Sequence, residues 1–168
     1  MNEEFIQIKI LFVGDQETGS KTSFIKSFTD DSFSEHYVPS IGVDFRSKDE
    51  HICDMEVSLQ LWDTAGNKTF MKSLSTYYSM AHCFVIGYSV ADRKSFESIP
   101  GWIKSIKEKG PERSPILVVG AKDDLAYSRC VTYDEGSEIA SKNGCLFYES
   151  KWHSYQHYRI HLYPTLPF

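Results

Sequence analysis

No apolar run in this 168-residue chain approaches the roughly 18 to 20 residues needed to cross a bilayer, and stretches such as Ile10 to Val13 and Ile116 to Val119 fall far short. A helical membrane span is excluded. Cysteine is sparse: Cys53, Cys83, Cys130 and Cys145 are widely spaced with no C-x-x-C pair. That removes a zinc knuckle or a disulfide framework and reads as free thiols in a reducing cytoplasm. Positive charge is short too, with Lys+Arg 18 against Asp+Glu 23 and a net charge of −5. This disfavours a general nucleic-acid binder that works by neutralising phosphates and leaves room only for a local basic site. The start, Met1-Asn2-Glu3-Glu4, is acidic where a signal peptide is basic, so secretion is not expected. Internal repeats and low-complexity tracts are lacking as well. What is present, 41% hydrophobic, 14% aromatic and 24% charged residues, is too apolar for a disordered chain. At about 150 residues per domain, the length predicts one domain with a short appendage.

Phe5 to Val13 reads as a buried strand, broken at Gly14 by a small-polar turn before an apolar-periodic helix from Lys21 to Phe28. Met55, Val57, Leu59 and Leu61 alternate with Glu56, Ser58 and Gln60. Gly42 to Ser47 alternates similarly, so the two segments predict a long hairpin across a polar turn at Lys48-Asp49-Glu50. Beyond it, apolar runs (Cys83 to Tyr88, Ile116 to Val119, Cys145 to Tyr148) alternate with helical segments, which predicts a mostly parallel sheet with crossovers. Phe96, Ile99, Ile103 and Ile106 lie on one helical face between Asp92 and Lys109, with an interruption expected at Pro100-Gly101. Thr132-Tyr133-Asp134-Glu135 is a capping box opening a helix that stops at Asn143-Gly144.

Three segments carry chemistry. Gly14-Asp15-Gln16-Glu17-Thr18-Gly19-Ser20-Lys21-Thr22 nearly matches the phosphate-cradling pattern G-x-x-x-x-G-K-[ST], but Ser20 intervenes before the lysine and lengthens the loop by one residue. Such a loop needs backbone N–H groups facing the phosphates, a lysine for the β/γ oxygens and a hydroxyl for Mg²⁺. Lys21 and Thr22 can supply the last two. Alone, the segment reads as an ordinary Gly/Ser turn; its companions reverse that. Trp62-Asp63-Thr64-Ala65-Gly66 places an acid at the end of a buried strand, where it can serve Mg²⁺, followed by Gly66, whose N–H can reach a γ-phosphate. Gly120-Ala121-Lys122-Asp123-Asp124-Leu125 follows another buried strand, and Asp124 can accept the N1–H and exocyclic amine of guanine, a pattern adenine does not present.

Over residues 5–150 the chain resembles a small GTPase of the Ras superfamily, of Rab type. Tyr37 to Phe45 resembles switch I with its IGVDF signature, and Ser40 matches the switch threonine that coordinates Mg²⁺. Trp62 to Gly66 resembles switch II, Tyr77-Tyr78-Ser79-Met80-Ala81 the YYRGA segment, and Gly120 to Leu125 the GNKxDL guanine motif. The resemblance implies an α/β fold: a three-layer P-loop NTPase G domain with a mostly parallel six-stranded sheet and one antiparallel edge strand. It also implies GTP and GDP binding with Mg²⁺, and protein effectors and regulators meeting the switch regions. On that basis the nucleotide site comprises Gly19, Ser20, Lys21, Thr22, Ser23, Ser40, Gly66, Lys122, Asp124 and Ser150. Thr22, Ser40 and Asp63 serve the metal, and Lys21 and Asn67 serve hydrolysis.

Five departures from the family shape the expectations. If the position of Ser20 needs a positive φ, serine costs about 1 kcal/mol there. Asn67 stands where the family has the glutamine that orients the attacking water. It is one methylene shorter, and a misplacement of about 1 Å can cost about a hundredfold in rate, so slow hydrolysis is predicted. Ala121 replaces the guanine-motif asparagine, and a lost hydrogen bond of roughly 1 to 3 kcal/mol predicts weaker nucleotide binding. Tyr148-Glu149-Ser150-Lys151 only approximates the ETSAK loop, with Ser150 as the base contact. Finally, residues 152–168 do not resemble the family's last helix and form an atypical tail after a G domain over 1–151. They hold three of the six histidines, and His153, His157 and His161 are spaced for one helical face, a metal-ligand spacing for which solvated or packing histidines are the competing reading. No cysteine follows Cys145, so prenylation and a stable membrane anchor by that route are not expected.

A cytoplasmic, monomeric GTP-dependent switch is the primary reading. A pseudo-GTPase binding module, or a truncated product of a Rab-like gene, are the alternatives. Tyr77 and Tyr78 read as helix-packing residues, and Lys104, Lys107 and Lys109 as a solvated face. For Phe45, Trp62 and Tyr77 two readings stand, an exposed aromatic effector surface or simple burial.

Overall fold

A computed structural model of the chain describes residues 6–15, 21, 25, 28, 29, 43–52, 54–64, 75–121 and 127–149. Six strands form one sheet: β1 (Ile6–Val13), β2 (Val43–Ile52), β3 (Met55–Thr64), β4 (Cys83–Ser89), β5 (Ile116–Ala121) and β6 (Leu146–Glu149). Their order is β2-β3-β1-β4-β5-β6, with β2 antiparallel to β3 and every other pairing parallel. The sheet expected from the alternating pattern is therefore found. Helices α1 (Ser75–Met80), α2 (Arg93–Glu97), α3 (Ile99–Lys109) and α4 (Tyr133–Lys142) connect its strands.

Each face of the sheet carries a separate core. On one, Ile25 and Phe28 pack with Ile8, Ile10, Phe12, Val57, Leu59 and Leu61. The helical residues Lys21, Ile25, Phe28 and Thr29 are all buried, a spacing that traces a single helix face laid on β1 and β3. The other core joins Leu11, Val13, Tyr78, Phe84, Ile86 and Tyr88 to Phe96, Ile99, Trp102, Ile103 and Ile106. The four residues read as one helical face, Phe96, Ile99, Ile103 and Ile106, are thus buried together.

Two expectations are corrected. The hairpin turn does not fall at Lys48-Asp49-Glu50; β2 runs on to Ile52, and Asp54 turns with φ 64°. Lys48 stays in the strand because its ammonium meets Glu50 at 3.2 Å and donates to the Phe28 carbonyl at 2.7 Å while lying over the Phe28 ring. An ion pair of half-buried Lys48 with buried Glu50 thus replaces the polar turn, and the alternation continues to the buried Ile52. The interruption between Asp92 and Lys109 falls at Ser98 rather than at Pro100-Gly101. Pro100 sits in the first turn of α3, where its missing N–H has no helical partner to lose. The capping box holds as expected: Thr132 Oγ1 accepts from the Glu135 N–H, Glu135 Oε2 accepts from the Thr132 N–H, and Gly144 ends the helix at φ 68°.

Candidate functional site

Five parallel strands place their carboxyl ends on one edge, and the chain changes direction across the sheet at β1, whose neighbours are β3 and β4. This is where α/β sheets build ligand sites. Val13, Thr64, Ser89, Ala121 and Glu149 end their strands there. Gly14 follows β1 at φ 136°, and a β-carbon on it would collide with the carbonyl oxygen of Gly87 on β4. Only glycine lets the turn leave the sheet so close to its neighbour.

Lys21 shares its helix face with Ile25 and Phe28, so anchoring those two on the sheet turns the lysine inward. Its ammonium donates to the carbonyls of Gly14 at 2.8 Å and Asp15 at 2.9 Å, and the residue is 5% exposed. Burial pushes the ammonium below its ordinary range, while the carboxylates of Asp63 and then Asp15 pull it back up. Among the described residues its two acceptors leave one ammonium proton for a further anion. Asp63, pairing in register with Phe12, is buried at the end of β3, and Thr64 Oγ1 donates to the Phe12 carbonyl at 2.6 Å, fastening β3 to β1. A buried cation on the helix that follows β1 and a buried carboxylate at the end of β3 suit a phosphate with its divalent counterion. Among the described residues no group of three His, Cys, Asp or Glu could hold a metal by itself, so an ion there would draw on hydroxyls and phosphate oxygens as well.

Of the sequence-predicted residues, Lys21 and Asp63 are thus brought together. Gly19, Ser20, Thr22, Ser23, Ser40, Gly66, Asn67, Lys122, Asp124 and Ser150 lie outside the described residues, as do His153, His157 and His161. Ala121 closes β5 with a buried methyl side chain, its carbonyl accepting from Val90 N–H at 3.0 Å.

Beside this edge, Phe45, Trp62 and Tyr77 stack edge to face, with ring centroids 5.6 Å and 4.9 Å apart. Phe45 is 45% exposed, and it stands opposite Trp62 in the β2–β3 register. Tyr78 is fully buried, as a packing residue should be, whereas Lys104, Lys107 and Lys109 are solvated. Two participants had escaped notice. Gly87, a glycine inside an apolar strand, is itself a sign of close backbone approach. Trp102 donates its indole N–H to Asp15 Oδ1 at 3.1 Å across 87 residues, a contact with no local signature.

Fold and edge together define an α/β domain whose mostly parallel six-stranded sheet gathers Lys21 and Asp63 at its carboxyl edge. The Ras family model matches residues 9–159. The chain is 38% identical to Ras-related protein RabC of Dictyostelium discoideum over 88% of this chain and 76% of the relative. It is 37% identical to Ras-related protein RIC1 of Oryza sativa subsp. japonica over 89% and 74%, and 37% identical to Ras-related protein Rab-13 of Bos taurus over 84% and 70%. The chain belongs to the Ras family, as a small GTPase of Rab type.

Proposed function

We propose that the chain binds GTP and GDP with Mg²⁺ and works as a slow nucleotide-dependent switch in membrane traffic. The observation that carries this is the buried Lys21 ammonium, set against the Gly14 and Asp15 carbonyls beside Asp63. A desolvated cation with a proton to offer gains most from a multiply charged anion. In this reading Gly19, Ser20, Lys21, Thr22 and Ser23 line the phosphates; Thr22, Ser40 and Asp63 serve Mg²⁺, which neutralises phosphate charge when bound. Gly66 meets the γ-phosphate, and Lys122, Asp124 and Ser150 meet the base. Asn67 takes the water-orienting position with a shorter reach, hence slow hydrolysis. The Phe45–Trp62–Tyr77 surface lies where β2, β3 and α1 meet and receives effectors as a cytoplasmic monomer changes nucleotide. Residues 1–151 form the GTPase domain, and 152–168 a separate tail.

Ala121 supports the second reading, a binding module with weak nucleotide affinity, because a methyl group at the end of β5 offers nothing to the base or to the neighbouring loop. Titration of nucleotide-stripped protein with fluorescent GDP and Mg²⁺, beside Lys21→Ala, separates the two. Saturable binding that falls about a hundredfold or more in the variant supports the switch. A folded wild type without binding at high micromolar GDP makes the chain a scaffold.

A further inference from the structure

Asp15 stands in an awkward place for a phosphate site. Its backbone carbonyl accepts from the Lys21 ammonium, so a carboxylate grows from the very residue that holds the phosphate-binding cation. Left to turn, that carboxylate would pair with Lys21 and oppose incoming phosphates by like charge. The structure shows where it goes instead. Oδ1 accepts the indole N–H of Trp102, and the indole is itself held, 8% exposed, within the buried face that Ile99, Ile103 and Ile106 present to the sheet. A donor anchored in the core thus meets the acid that follows Gly14.

We propose that Trp102 is a positioning residue for the phosphate loop: by holding the Asp15 carboxylate toward α3, it keeps the Lys21 ammonium for the nucleotide's phosphates. This rests on the nucleotide-binding reading above. An indole suits the task because it donates and cannot accept, so it fixes an acid without adding charge near the phosphates. The electrostatic pull of Asp15 on Lys21 shows that the two charges are close enough to compete.

The test is a double-mutant cycle read by GDP and GTP-analogue titration with Mg²⁺, using Trp102→Phe, Asp15→Asn and the double variant, with folding followed by circular dichroism. Trp102→Phe is expected to raise the Kd about tenfold, within the range for directly coupled neighbours. In the Asp15→Asn background, which removes the competing charge, Trp102→Phe is expected to change the Kd by no more than about twofold. An unchanged Kd in Trp102→Phe, or an equal loss in the Asp15→Asn background, overturns the proposal, since lost packing would act in both backgrounds. Should Trp102→Phe fail to fold, Asp15→Glu carries the same question: its longer carboxylate leaves the indole and binds nucleotide more weakly than Asp15→Asn. Equal affinities for Asp15→Glu and Asp15→Asn overturn it. A wild type that does not bind GDP overturns the functional reading and this proposal together, whereas binding that ignores Trp102 overturns this proposal alone.

Discussion

Arg129 grips both carboxylate oxygens of Glu149, Nη2 to Oε1 at 2.7 Å and Nη1 to Oε2 at 3.2 Å, at the carboxyl end of β6. The same guanidinium donates to the Val131 carbonyl at 3.0 Å, and the two side chains are 25% and 10% exposed. A fork matched to a carboxylate in a shielded place is worth more than a surface pair. Arg129→Met is expected to cost about 2 kcal/mol in urea unfolding at pH 7, because Glu149 keeps its charge and loses its donors. Arg129→Lys should recover only part, since an ammonium cannot bind both oxygens in one plane. A loss under about 0.5 kcal/mol for Arg129→Met would show the pair behaving as a solvated one.

Acid should release a different contact. Glu135 accepts from the Arg93 guanidinium at 2.8 Å, then from the Thr132 N–H and hydroxyl, and these donors lower its carboxyl from 4.5 to about 2. The folded state therefore holds this group ionised where the unfolded chain has begun to protonate it. Its stabilising effect is complete above about pH 4.5 and fades as the pH falls towards 2. The stability difference between wild type and Glu135→Gln, measured by denaturant across that range, should shrink with acid. A difference that is constant with pH contradicts the assignment.

Crowding around Tyr88 favours glycine at position 136 inside a helix. A β-carbon on Gly136 would strike the Tyr88 hydroxyl and come within 2.6 Å of Phe147 Cζ. Alanine normally gains about 1 kcal/mol over glycine in a helix. Here overpacking of about 1 to 3 kcal/mol should outweigh it, so Gly136→Ala lowers the melting temperature. Among the described residues the buried Tyr88 hydroxyl has no hydrogen-bond partner. Tyr88→Phe should therefore leave stability unchanged or raise it by about 1 kcal/mol, and should soften the alanine substitution. Four melting curves decide it, and a higher melting temperature for Gly136→Ala alone refutes the steric account.

Thiol labelling offers a check on the sheet face. Cys83 is buried in the core around β1 and β4, which pushes its thiol up to about 12, whereas Cys130 is exposed. At pH 8 an aromatic disulfide reagent should modify Cys130 quickly and Cys83 only when the protein unfolds. Peptide mapping of the labelled protein reads the order. Rapid labelling of Cys83 in native buffer would mean that this face opens.

Much of this molecule was legible before any coordinates. The period-two alternation from Met55 to Leu61, the helical spacing of Phe96, Ile99, Ile103 and Ile106, and the capping box at Thr132 are signals written within a few residues of each other. So was the gathering of Lys21 and Asp63 at one edge of the sheet, because one begins a helix and the other ends a strand within recognisable motifs. The misplaced hairpin turn shows the limit of such reading. Lys48-Asp49-Glu50 has turn composition, yet its pairing with β3 and the contacts of Lys48 with Glu50 and the Phe28 carbonyl keep it extended.

By itself, then, the sequence determined the element types, the parallel sheet and the segments that meet at its carboxyl edge, since periodicity and capping are properties of neighbouring residues. Tertiary structure alone decided that Lys21 points inward to the carbonyls of Gly14 and Asp15, that Gly14 must lack a side chain beside Gly87, and that Trp102 holds Asp15. These contacts join residues far apart along the chain, and their energy arises from burial and close approach, which exist only after the sheet has brought its strands together.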